Sequence, residues 1–390
     1  MTKARLTKAY DVAIVGAGVF GAWTALALQR SGRSVALLDA YGPGNSRSSS
    51  GGESRIIRMG YGADEIYTRM AARSLHLWLD FFHHARQPLL FHRTGVLWTA
   101  TAESAHLTGT GQALKGCGVR FENLSQTDLA QRYPQFHFEE GRVGIFEPQS
   151  GAIMARRAVQ AVVHEAVREG AEYFRELVEA PAGSGRLEAI RTRSERQIRA
   201  GSFVFACGAW LPGVFPELLE GRIRPTRQDV FFFGTGPGDR RFGSPGMPIW
   251  IDFSDPRGGY AFPDLENRGV KLAFDRHGPP IVPDSEPRVI SPESIAAARA
   301  FLALRFPALA DAPLIETRVC QYENTSNGDF LIDQHPDFDN VWLAGGGSGH
   351  GFKHGPAIGE YLTRVLFLGA AAEPRFSLES KAREAKRAVY

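Results

Sequence analysis

Apolar residues fall in short blocks along this chain, and the period within each block sorts the blocks into strands and helices. Asp11 to Val15 is an apolar run that stops at Gly16-Ala17-Gly18-Val19-Phe20-Gly21. Apolar positions then spread from Val19 to Leu28 at helical density, and a second run, Val35 to Leu38, ends in Asp39. Strand, glycine turn, helix and strand make a complete βαβ unit within the first forty residues. The next stretch, Tyr41 to Gly52, is rich in Gly, Ser, Pro and Asn and reads as a loop. Ile66, Met70, Leu77 and Phe81 recur at spacings of 4, 7 and 4, which predicts an amphipathic helix over 64–82.

From Gly95 the texture turns to short β-type runs, Gly95 to Thr99 and Val143 to Glu147, an excursion into another domain. A long helix over Ala155 to Glu169 and the runs at Leu177-Val178 and Phe203 to Ala206 return to the first one. Residues 224–275 are strand-like again, with Asp229 to Phe233, Ile249 to Phe253 and Val270 to Phe274 set off by Gly and Pro turns. Near the C-terminus, Val341 to Ala344 leads into Gly345-Gly346-Gly347-Ser348-Gly349-His350-Gly351-Phe352-Lys353 and a helix over Pro356 to Leu368. Strand, glycine loop and helix thus occur at both ends of the chain.

The N-terminal loop has the spacing that binds a dinucleotide. Gly16 makes the tight turn, Gly18 lets the backbone reach a pyrophosphate, and Gly21 lets helix and strand pack closely. The helix N-terminus faces the phosphates, and Asp39, 18 positions after the last glycine, accepts from an adenosine ribose hydroxyl. A nicotinamide cofactor needs only one compact unit of this kind. Glycine loops at both ends point instead to a flavin, with the adenine end at the first loop and the ring at Gly346, Gly347, Gly349 and Gly351.

Length and composition set outer limits. The chain has 390 residues, 43% hydrophobic and 22% charged, which suits a globular protein of more than one domain. Its formal charge of +3 is spread along the whole length, with no basic block of the kind nucleic acid requires. No apolar run is long enough to span a bilayer, and the first ten residues lack an apolar signal region, so a cytoplasmic protein is expected. Three cysteines, Cys117, Cys207 and Cys320, form neither a disulfide framework nor a metal site. Only seven lysines stand against 38 arginines, and of the three outside the termini, Lys115, Lys271 and Lys353, the first sits in a glycine-rich turn.

DVAIVGAGVFG, Arg55-Ile56-Ile57-Arg58 with Tyr61-Gly62, Phe146-Glu147-Pro148 with Ser150-Gly151, and Gly208-Ala209-Trp210 recur in one known family. So do Arg227-Gln228, Gly269-Val270-Lys271-Leu272, Cys320-Gln321-Tyr322 with Phe330-Leu331-Ile332-Asp333, and Ser348 to Lys353. Nearly end to end, the chain resembles the amine-oxidising flavoproteins of the D-amino-acid oxidase superfamily, of the monomeric sarcosine oxidase and N-methyltryptophan oxidase type. The resemblance implies an α/β, Rossmann-like FAD-binding domain that is discontinuous in sequence (1–89, 146–223 and 322–390). With it goes an α+β substrate domain with a mainly antiparallel sheet (90–145 and 224–321).

It also implies site residues. FAD is held by Gly16, Gly18, Phe20, Gly21, Asp39, Ser49, Arg55, Val178, Ala206, Gly208, Trp210 and the C-terminal glycines, and is linked covalently through Cys320. Lys271 lies over the flavin and promotes its reoxidation by O2, a task for a compact ammonium. Arg58 and Lys353 hold the substrate carboxylate, and Tyr61, Tyr260 and Tyr322 line the pocket. Asp275 stands where sarcosine oxidases carry histidine, which disfavours a second acid group on the substrate. The implied activity is oxidation of the C–N bond of a small secondary or primary amino acid by a monomer, with O2 reduced to H2O2. Alternatives are a dehydrogenase of the same fold that reduces a quinone or partner protein, a flavin-carrying subunit of a multi-subunit oxidase, and a nicotinamide enzyme.

Overall fold

In the computed structural model the described residues are 8–253, 258–285 and 287–381, and they form two compact units. The first gathers the described parts of Met1–Glu53, Ala155–Pro225 and Tyr322–Ala388, and the second those of Ser54–Met154 and Thr226–Gln321.

In the first unit the strand Ala9–Val15 runs parallel to both neighbours, Val35–Leu38 and Gln197–Phe205. Glu172–Phe174 extends the sheet beyond Val35–Leu38, and Val341–Gly345 extends it beyond Gln197–Phe205, both parallel. Leu331–Gln334 then closes that second edge antiparallel. Val12, Ala13, Ile14 and all of Val35–Leu38 are buried, so these strands read as unbroken apolar runs because both sheet faces are covered. The helix Val19–Arg30 is apolar almost all round because other helices enclose it. Gly355–Phe367 packs on it so closely that a Cβ on Gly359 would sit 2.6 Å from the Trp23 carbonyl oxygen.

The second unit is built on an eight-stranded sheet in the order Leu314–Thr325, Ile223–Phe233, Val270–Phe274, Gly259–Phe262, Ile249–Asp252, Val96–Thr101, Arg142–Glu147, Glu122–Leu124. From Ile223–Phe233 onward every pairing is antiparallel except Ile249–Asp252 beside Val96–Thr101. Alternation along the strands splits the side chains between two faces. Phe231, Phe233, Trp250, Ala261, Val270, Leu272 and Val319 pack into one core. Val230, Phe232, Ala273 and Cys320, with Tyr260, form a smaller cluster on the other face.

Three departures from the sequence reading have physical causes. The segment 54–89 belongs to the second unit rather than the first, as does 146–154, because Ser54–Ile57 pairs with Gly151–Met154 and that strand with Phe91–His92. Residues 224–225 go with the first unit. The stretch after Gly95 also carries helices, Ala105–Gly116 and Gln126–Arg132. Gly109 and Gly111 dilute the helical pattern of the first, yet Gly109 is needed there, since a Cβ would meet the Ala63 nitrogen at 3.0 Å. Lys115 therefore lies in the last turn of a helix, closed by Cys117, rather than in a glycine-rich turn. A further helix, Pro292–Arg305, is capped by the Ser291 hydroxyl accepting from the Ser294 N–H. No helix among the described residues is long and apolar enough to cross a membrane.

Candidate flavin cradle and cationic cluster

The first unit supplies a cradle. Gly16 turns the chain at φ +107°, and a Cβ there would lie 2.3 Å from the Ala206 carbonyl oxygen. No other residue fits that combination of backbone angle and contact. A Cβ on Gly21 would fall 1.9 Å from the Gly16 oxygen, whereas one on Gly18 would meet only the Ser50 hydroxyl, at 3.4 Å, so the middle glycine faces open space. The Ser50 hydroxyl accepts from the Val19 N–H at 3.0 Å, in the turn Ser49–Gly51. Asp39 ties the loop together by accepting from the N–H groups of Ala17 (2.8 Å), Tyr41 (2.8 Å) and Gly42 (2.7 Å).

The C-terminal glycine loop joins this cradle. Phe20 packs against Gly351, whose Cβ would be 3.0 Å from the ring, and Tyr322 packs against Gly349. Gly346 and Gly349 take positive φ, as does Ser348, which is held by its hydroxyl bonds with the Thr325 N–H (3.1 Å) and the Gly346 carbonyl (3.0 Å). Lys353 is buried and donates to the His350 carbonyl at 2.8 Å. Val178 and Cys207 pack beside the sheet core. Ala206 donates to Val15, Gly208 opens a short turn, and Trp210 lies 5.9 Å from Tyr41 with its indole N–H buried and without a partner among the described residues.

The second unit supplies a cluster of cations on the sheet face opposite its core. Arg55 donates to the Cys320 sulfur at 3.1 Å. Burial pushes that thiol up, but Arg55, Arg318 and Lys271 outweigh burial and bring it below the ordinary thiol range. Lys271 is buried, donates to the Ser54 carbonyl at 2.9 Å and lies 4.1 Å from the centre of the Phe262 ring. Cys207, by contrast, is raised by burial, then by Asp39 and Glu323, as a packed thiol should be.

Arg58 is buried between the rings of Tyr61 and Trp98, at 4.3 and 4.7 Å, and donates to the Gly60 carbonyl. Tyr61 in turn stacks on Tyr67. The turn that carries Arg58 is pinned by Glu147, a fully buried carboxylate accepting from Met59 N–H (2.7 Å), Gly60 N–H (2.9 Å), Trp98 Nε1–H (2.7 Å) and the Ser150 hydroxyl (2.6 Å). Nearby His106 is pushed down to about 4, by burial first and by the Arg58 charge second, so it stays neutral. Asp275 follows the strand Val270–Phe274 and donates its N–H to the Gly258 carbonyl.

The family model for FAD dependent oxidoreductases matches residues 11–365. The chain belongs to that family. A monomeric sarcosine oxidase from a Bacillus species is 31% identical over 92% of this oxidoreductase and 93% of its own length. An N-methyl-L-tryptophan oxidase of Salmonella heidelberg is 29% identical over 90% and 93%. Among solved structures, the L-proline dehydrogenase of P. horikoshii superposes with a TM-score of 0.84 at 19% identity, covering 98% of this chain and all of that one, which shows a shared fold.

FAD fits the first unit. The open side of Gly18 and two buried groups without a partner among the described residues, the Trp210 indole N–H and a carboxyl oxygen of Glu323, are groups that a phosphate- and hydroxyl-bearing cofactor engages. A nicotinamide enzyme is not what the family implies. Glu147, Trp98 and His106 were assigned no role by the sequence motifs. The Phe146-Glu147-Pro148 motif contained Glu147, but its partners lie far away in sequence.

Proposed function

We propose that this oxidoreductase oxidises the C–N bond of a small secondary or primary amino acid, giving an imine that hydrolyses, with O2 reduced to H2O2. The observation that carries the reading is the cationic face of the second unit, where Arg55, Arg318 and Lys271 surround a buried thiol beside an aromatic lining.

Bound FAD supplies the two-electron acceptor. This chain's residues do the rest. Cys320, as thiolate, is the group suited to attach the flavin, and Arg55 holds the sulfur in place. Arg58, a planar fork fixed between two rings, receives the substrate carboxylate, and buried Lys353 is assigned the same duty. Tyr61, Tyr260 and Tyr322 line the substrate's path, and Asp275 favours a substrate with a cationic or hydroxyl-rich end. Lys271 keeps a positive charge where O2 is reduced, which favours oxidase over dehydrogenase behaviour. The 1–53, 155–225 and 322–388 unit holds the cofactor, and the other selects the substrate.

The test is a turnover panel of N-methyl amino acids, cyclic imino acids, D-amino acids and glycated amino acids, read by peroxide release and anaerobic bleaching of the flavin band. One peroxide per substrate oxidised is the expected result. Bleaching without peroxide on admission of air would favour the dehydrogenase, and failure to bleach with any amine would overturn the reading.

A further inference from the structure

Glu323 is buried among residues of the first unit, at 7% exposure. Its carboxyl accepts from the N–H groups of Gly346 and Gly347, and its main-chain oxygen accepts from the Ser348 N–H at 2.9 Å. The remaining carboxyl oxygen, Oε1, has no hydrogen-bond partner among the described residues. That oxygen lies against Gly345, where a Cβ would come within 2.4 Å of it, so any larger residue at 345 would expel the carboxyl. The loop is therefore shaped to keep a carboxylate oxygen in a dry place without a protein donor. Leaving such an oxygen unsatisfied is costly, and native proteins rarely do so without a ligand to complete it. Burial accordingly pushes the carboxyl up to about 7, although the two glycine N–H groups pull the other way.

In the ionised form this oxygen needs a donor, and a bound donor would favour that form over the protonated one. Phosphate oxygens only accept and would repel a carboxylate, and the adenosine ribose already has Asp39, at the end of Val35–Leu38. Glu323 sits three residues after Cys320, in the same strand and against the C-terminal glycine loop, where the flavin half is expected. On that half the donors are the ribityl hydroxyls and the ring imide N–H. The hydroxyls belong to a flexible chain that needs a fixed acceptor to be held in one conformation.

We propose that Glu323 is a cofactor-positioning residue whose Oε1 accepts a hydroxyl of the FAD ribityl chain. The proposal rests on the FAD reading and adds to it a residue outside the family motifs quoted above. It is tested on the full-length chain carrying Cys320→Ala, so that FAD exchanges freely, by titrating apoprotein with FAD and following flavin fluorescence. Glu323→Ala should weaken FAD binding by about 10- to 100-fold. On the parent, one of the ribityl-deoxy analogues of FAD should lose a similar factor, and that loss should vanish in Glu323→Ala. Additive losses, or a coupling that appears only with N3-methyl FAD, would overturn the assignment. If Glu323→Ala does not fold, the parent arm decides alone, since every deoxy analogue binding within about twofold of FAD would sink it. A parent that binds no FAD defeats the underlying reading as well, whereas FAD binding indifferent to Glu323 and to the ribityl hydroxyls defeats this one alone.

Discussion

Replacing Glu147 by Gln should loosen the turn that presents Arg58, and the structure sets the scale. The carboxylate accepts four hydrogen bonds, two on each oxygen. Gln keeps one acceptor oxygen and turns the other into a donor; with that donor on the Oε2 side the Ser150 hydroxyl turns to accept from it, but the Met59 N–H cannot, so one charge-assisted bond is lost outright. The cost is about 1.5–3 kcal/mol. With an unfolding entropy of about 2 cal/mol/K per residue over 390 residues, the melting temperature should fall by about 2–4 °C. Calorimetry measures this directly. Because Arg58 donates to the Gly60 carbonyl within the same turn, KM for a carboxylate-bearing substrate should rise more than kcat falls. A variant melting within about 1 °C of the parent, with KM unchanged, would refute the pin.

Other outcomes follow from single contacts. Cys320→Ala should yield protein that releases its flavin on acid precipitation, whereas flavin that stays with the parent's protein pellet marks the covalent link. Lys271→Met should leave anaerobic flavin reduction nearly intact and slow reoxidation, so equal losses in both half-reactions measured by stopped flow would reject the role given to the ammonium. Glu323 makes apoprotein stability depend on pH. Its folded carboxyl titrates near 7 against an ordinary 4.5, so its favourable contribution is complete below about pH 4.5 and is lost as pH rises through 7. Apoprotein carrying Glu323→Gln should lack that component between pH 5 and 8 in a series of denaturant unfolding curves.

What the sequence made legible was local. The strand, glycine turn and helix after Asp11 occupy adjacent positions, so spacing alone announces them, and Asp39 follows at a fixed distance. The alternation that sends Val270 and Leu272 one way and Lys271 the other is equally local. Glu147 could not be read this way, because its donors Met59, Gly60 and Trp98 lie on segments about fifty to ninety residues earlier. Glu323 and Gly345 explain each other only once the fold brings the carboxyl against the glycine. The helical period over 64–82 shows that one face is buried but not against which unit, so it cannot place a unit boundary at Glu53. The Ser-Pro-Glu start of Pro292–Arg305 was a readable helix signal, and its alanine-rich interior lacked the stripe that would have drawn attention to it.

The two faces of the eight-stranded sheet also bear on how this protein can change. Residues that keep the second unit folded, such as Phe231, Leu272 and Trp250, occupy different positions from those to which the proposed chemistry is assigned, such as Lys271 and Tyr260, although they alternate along the same strands. A substitution at 230, 232, 260 or 273 changes the face proposed to carry the chemistry, opposite the layer of Phe231, Leu272 and Trp250. The fold thus separates the inheritance of stability from the inheritance of specificity, one residue at a time, and lets a new amine be accommodated without rebuilding the core.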